Sequence, residues 1–104
     1  MTNIQQLMQM GQQLQARISE LQESLAQRTV TTSSGGGMVE VTATGKGEVT
    51  RIKIDPACVD PRDVEMLEDL VQAAVNQAQT KAREVYEEEM RKAAGGLPFP
   101  IPGL

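Results

Sequence analysis

Near the start of the chain, Ile4, Leu7, Gly11, Leu14, Ile18, Leu21 and Leu25 follow one another at alternating intervals of three and four residues. That spacing is a heptad seam on one face of a helix, with Gly11 filling one place. It predicts a helix from about Asn3 to Arg28, about 39 Å long at a rise of 1.5 Å per residue. Eight glutamines among residues 1–28 cover much of its remaining surface. The whole chain has 104 residues, the size of one small domain. A rod of that length is hard for so small a domain to wrap, and this limits every fold open to the chain.

After Arg28 the pattern changes from helical to alternating. Val30, Thr31, Thr32 and Ser33 suit a short strand because of their β-branched content. Ser34-Gly35-Gly36-Gly37 breaks it as a loop. From Met38 to Thr44, Val39, Val41 and Ala43 face one way and Glu40, Thr42 and Thr44 the other. Gly45-Lys46-Gly47 is a hairpin turn signal. Glu48 to Asp55 follows, with Ile52 and Ile54 expected on one face and Val49, Arg51 and Lys53 on the other. Three short antiparallel strands with one apolar face account for this stretch. The glycine loop lacks the Gly-Lys-Ser/Thr that would open a helix in a phosphate-cradling loop.

Asp55-Pro56 ends the third strand. Asp60-Pro61-Arg62-Asp63 then opens a second helix, with Asp60 as N-cap, Pro61 at the first helical position and Asp63 facing back. This helix is expected to run to about Ala94, roughly 50 Å. Its apolar stripe is Val64, Leu67, Val71, Ala74, Ala78, Ala82 and Val85, and the alanines allow another backbone to come close. Gly95-Gly96 stops it. Residues 97–104 hold three prolines between apolar residues, and proline bars both helix and central strand. The expected organisation is a helix–sheet–helix domain over 1–94 and a flexible, Pro-rich tail over 95–104.

The predicted class is therefore α+β: a long helix, a three-stranded antiparallel sheet and a second long helix. Strands of this size span about 25 Å, so both helices must project beyond the sheet. The projecting parts still carry apolar seams, and a small sheet has open edges. Self-association covers both. The expected assembly is a two-fold homodimer with sheets or helices paired at its centre and helical arms reaching outward.

Charge and composition narrow the chemistry. The chain holds 10 bases and 14 acids, a net charge of −4. Most of the acidity sits in residues 55–69, which hold six acids against Arg62. Asp60, Asp63, Glu65, Glu68 and Asp69 lie where the dipole at a helix start favours negative charge, and no fixed ligand geometry suggests a metal. Histidine is absent, and Cys58 is the single cysteine. No imidazole catalysis, disulfide framework or CxxC metal site is open to the chain. Cys58 reads as a small hydrophobe plugging the core. The acids lie in a capping run and on exposed turns, so no paired-carboxylate cleft is expected. The expectation is no enzyme, no cofactor and no small-molecule substrate. Residues 1–30 lack the pattern of a secretory signal, and no stretch approaches the ~20 apolar residues of a membrane span, so no membrane partner and a cytoplasmic location are expected.

Two binding classes remain. The bases outside the acidic window are Arg17, Arg28, Lys46, Arg51, Lys53, Lys81, Arg83, Arg91 and Lys92. Arg83–Glu87, Glu87–Arg91 and Glu88–Lys92 have the spacing of ion pairs on a solvated helix face. Lys81 and Lys92, eleven residues apart, fall on one face, and a dimer doubles every base. Gln9, Gln12, Gln13 and Gln15 can also reach phosphate oxygens. Aromatic platforms for single strands are missing: the rings are Tyr86 and Phe99 alone. Duplex DNA is thus the better nucleic-acid target. Alternatively, the amphipathic arms serve as a helical adaptor that holds another protein.

An ordered set of segments carries a resemblance. Gly35-Gly36-Gly37-Met38-Val39-Glu40-Val41-Thr42, Gly45-Lys46-Gly47-Glu48-Val49, Ile52-Lys53-Ile54-Asp55-Pro56, Glu65-Met66-Leu67-Glu68-Asp69-Leu70-Val71 and Ala73-Ala74-Val75-Asn76-Gln77-Ala78 closely resemble the YbaB/EbfC family of bacterial nucleoid-associated proteins. The resemblance covers about residues 4 to 94. It implies a tweezer-like homodimer whose helical arms grip duplex DNA, in a cytoplasmic, nucleoid-associated role that organises DNA or influences transcription without catalysis. The matching motifs are structural, and the contact residues are expected from the placement of the bases: Arg17 and Arg28 of the first helix, and Lys81, Arg83, Arg91 and Lys92 of the second, contacting phosphates with little sequence selectivity. Arg51 and Lys53 form a backup patch on the outer sheet face.

Overall fold

The structure, a computed structural model, describes residues 3–94. Helix α1 spans Ile4–Gln27, strands β1, β2 and β3 span Thr29–Ser34, Val39–Thr44 and Val49–Ile54, and helix α2 spans Val64–Ala94. The expected tail over 95–104 lies outside the described residues. Asn3 caps α1: its Oδ1 accepts the Gln6 N–H at 2.8 Å. At the other end Arg28 leaves the helix with extended backbone, while its N–H still donates to the Ser24 carbonyl.

The sheet is antiparallel in the order β1-β2-β3, as the alternation predicts. Gly35, Gly36 and Gly37 hold φ at +62°, +69° and +95°, a left-handed run that side-chain-bearing residues resist. Strict alternation fails at one place. Val39 pairs with Ile54 and Val41 with Ile52, but Ala43 pairs with Val49 across an irregularity beside Thr42. Thr50 is the extra residue of a bulge. Opposed residues share a face, so the bulge carries Val49 onto the face of Ile52 and Ile54, not the opposite one expected. There it packs, half-buried, against the core.

The start of α2 also differs from expectation. Asp60-Pro61-Arg62-Asp63 closes on itself as a turn, with the Asp63 N–H donating to the Asp60 carbonyl at 2.9 Å. Pro61 takes the second position of that turn, which its fixed φ suits. The helix begins three residues later than expected, and Asp63 caps it by accepting the Met66 N–H at 3.2 Å.

Helix α2 lies across β1 and β2. Ala74, Ala78 and Ala82 have no exposed surface, and they meet Val30, Val39, Val41, Ala43 and Cys58 in the core. Alanine lets the helix approach closely enough for β1 to hydrogen-bond it. Thr32 Oγ1 donates to the Ala74 carbonyl at 2.8 Å and Ser34 Oγ to the Leu70 carbonyl at 2.6 Å. Those bonds explain how polar residues sit on the core face of β1. β3 lies outside this cover, so Ile52 and Ile54 remain 45% and 37% exposed.

Helix α1 docks along its C-terminal part. Leu25 is fully buried, Leu14, Ile18 and Leu21 are half-buried, and Ile4 and Leu7 are 76% and 57% exposed. The dock is the β2–β3 turn, where the Gly45 N–H donates to the carbonyls of both Leu25 and Arg28 at 2.9 Å. A Cβ at Gly45 would lie 2.9 Å from the Leu25 carbonyl oxygen, so glycine permits this approach. The described chain measures 71 × 19 × 16 Å with a radius of gyration of 19.6 Å. A compact domain of this length would have about 13 Å. The excess is helix projecting past the sheet.

Candidate nucleic-acid interface

Three of the six candidate bases gather where α1 and α2 run side by side. Arg28 Nη1 lies 2.9 Å from Glu89 Oε1. Lys92 Nζ lies 3.5 Å from Glu89 Oε1 and 3.5 Å from Glu88 Oε1. Arg17 lines a groove of about 380 Å³ with Glu20, Leu21, Glu89, Lys92 and Ala93. Arg17, Arg28 and Lys92 thus cluster around Glu89, and Glu20, Glu88 and Glu89 balance their charge. The pairs are solvent-exposed, so each is weak and open to competition from a phosphate.

Within one chain the other three do not share a face. Two residues along a helix turn it by about 200°. Lys81 accordingly lines a groove beside β1 with Thr32, Asn76, Gln77, Thr80 and Glu84. Arg83 lines another with Gln22, Gly45, Lys46, Gly47, Gln79 and Tyr86. Arg91 is exposed and lines neither. Of the three expected ion pairs along α2, Glu88–Lys92 forms. Among the described residues Arg83 and Arg91 are in no ion pair, which fits the small gain such exposed pairs offer.

Arg51 and Lys53 are exposed on β3, and Lys53 sits directly opposite Glu40. Arg62 belongs to the acidic turn, with its Nε 3.2 Å from Asp60 Oδ1. The Arg62 backbone N–H, and then its guanidinium, hold the Asp60 carboxyl below its ordinary range. This turn lies at the start of α2, whereas Arg17, Arg28 and Lys92 lie along its last turns. The acidic turn and this charge-balanced cluster are therefore separated along the molecule. Lys46 was read from sequence as part of a turn. The structure sets it in the same groove as Arg83.

A thin sheet on one helix, with a second helix thrown outward carrying cations and amides, defines a non-compact α+β binding protein built around an arm. Residues 1–97 match the YbaB/EbfC DNA-binding family, and the chain belongs to it. It is 50% identical over 100 residues to a nucleoid-associated protein of Moorella thermoacetica, covering 96% of each chain. It is 47% identical over 104 residues to one of Rhodospirillum rubrum, covering 100% of this chain and 96% of that one. Among solved structures, an uncharacterized protein from Helicobacter pylori superposes with a TM-score of 0.80 at 25% identity. That match covers 88% of this chain and 97% of the other. The fold and the DNA-binding family predicted from the ordered glycine and strand motifs are thereby shown.

Proposed function

We propose that the chain is a homodimer that binds double-stranded DNA through phosphate contacts between projecting helical arms. Binding has little sequence selectivity and serves, in the cytoplasmic nucleoid, to organise DNA or influence transcription. No catalysis, cofactor, small-molecule substrate or membrane belongs to this reading. The observation that carries it is the uncovered outer half of α1: a rod with Ile4, Leu7 and Met8 in solvent and basic side chains near its root.

A large aliphatic seam left in water favours pairing with a second copy. Ile52, Ile54 and the free edge of β3 add a second surface of the same kind. Phosphate recognition fits the charges of Arg17, Arg28, Lys81, Arg83, Arg91 and Lys92. Tyr86 is the one described aromatic ring and is half-buried, so stacking on single strands has little support. The exposed seam also suits the adaptor reading, in which a partner protein's helix covers it.

A titration of a short duplex at several salt concentrations separates the two. Phosphate-driven binding falls linearly in log–log form. No binding at low salt, together with a protein partner recovered after nuclease treatment, would support the adaptor instead.

A further inference from the structure

Lys46 and Arg83 stand apart from the other bases. With Gln22, Gly45, Gly47, Gln79 and Tyr86 they line a groove of about 600 Å³ where α1, the β2–β3 turn and α2 meet. No carboxylate is among these lining residues. The groove of Lys81 includes Glu84, and that of Arg17 and Lys92 includes Glu20 and Glu89. Among the described residues neither Lys46 nor Arg83 is paired with an acid. In a chain of net charge −4, this groove joins two free cations to amide donors.

The groove is also held in shape. Gly45 is tied to the end of α1 by its two hydrogen bonds to Leu25 and Arg28. Thr44 Oγ1 accepts the Lys46 N–H at 3.2 Å, so the lysine leaves from an anchored turn. Gln79, Arg83 and Tyr86 follow at spacings of four and three on one face of α2. Gly47 carries no side chain, and a Cβ there would meet no atom within 4 Å, which leaves room for a bulky tetrahedral anion. Gln79 Nε2 reaches only the Gly47 carbonyl, at 3.5 Å, a contact an anion can readily replace.

We propose that this groove seats a backbone phosphate of duplex DNA, with Lys46 and Arg83 as charged donors and Gln22 and Gln79 as neutral ones. The proposal rests on the DNA-binding reading above and adds to it a grip at the root of the arm, against the sheet. Charge-assisted hydrogen bonds suit such a seat.

The test compares K46Q with R62Q. Each removes one positive charge from an exposed position, and Arg62 lies in the acidic turn. K46Q should weaken duplex binding about tenfold at low salt and flatten the log–log salt slope by about two, one for each chain of the dimer. R62Q should stay near wild type, and K46Q/R83Q should flatten the slope by about four. Circular dichroism checks that each variant is folded. Equal behaviour of K46Q and R62Q would overturn the seat while leaving DNA binding intact. A wild-type chain that binds no duplex would instead remove the functional reading itself, and the seat with it. In a third arm, inorganic phosphate is titrated against the labelled chain. Amide shifts centred on Lys46 and Gly47, with an unchanged DNA slope in K46Q, would assign the groove to soluble phosphate and overturn the DNA seat.

Discussion

The two helices carry apolar seams of similar regularity, and the fold uses them in opposite ways. Helix α2 has the smaller residues and hides the middle of its stripe: Ala74, Ala78 and Ala82 are fully buried on the sheet, while Val64 at its start is 52% exposed. Helix α1 has the larger residues and leaves two of its six in solvent, with Ile4 at 76% and Leu7 at 57% exposure. Hydrophobic driving force scales with area, so the stronger seam is the less satisfied one. Small residues serve where backbones must approach, as at the Thr32 and Ser34 bonds to α2. Large ones are worth placing on an exposed rod when something outside the chain covers them. The contrast places α2 in the fold and leaves the outer half of α1 free for the assembly proposed above.

The two ends of the α1 seam give the largest test of this division. Leu25→Ala should destabilise the chain by about 2–5 kcal/mol in chemical denaturation, since Leu25 is buried. Leu7→Ala should change folding stability by less than about 0.5 kcal/mol but weaken self-association in sedimentation. If both variants destabilised the fold equally, the division of the seam would be broken. Next comes Gly45→Ala, whose new methyl would press on the Leu25 carbonyl. It should lower stability by about 1–3 kcal/mol and loosen α1 from the sheet, seen as faster amide exchange in residues 18–28.

Glu89→Gln should have a smaller effect on stability, below about 1 kcal/mol, because its partners are exposed. It releases Arg28 and Lys92 from their shared acid. Duplex affinity should therefore rise, and an unchanged affinity would take those two bases out of the interface. Asp60 gives the smallest effect. Its carboxyl is held below its ordinary value of 3.8 by Arg62. A lowered carboxylate stabilises the fold above its unfolded value and loses that contribution as pH falls through the folded one. The gap in Tm between wild type and Asp60→Asn should thus be present at neutral pH and close in acid. A gap that widened on acidification would show the sign to be wrong.

Periodicity made the elements legible. The seam from Ile4 to Leu25, the alternation from Val39 to Ala43 and the alanine stripe each matched one regular geometry. What escaped sequence reading depended on contacts between elements. The bulge at Thr50 turns Val49 inward, and strict alternation could not show an inserted residue. Asp60 and Asp63 are equally good caps by type, and the turn around Pro61 decides between them. Glu89 was one of four acids in residues 70–94 until Arg28, sixty-one residues away, reached it. Lys46 needed the same long-range closure to share a groove with Arg83. Chemistry that depends on tertiary neighbours was therefore the least readable part.

Sedimentation equilibrium of the chain with an equimolar short duplex tests the central claim most directly. The account predicts a complex whose mass equals two chains of 11.3 kDa plus one duplex, dissociating as salt rises. A single folded chain sedimenting apart from the duplex at low salt would contradict it.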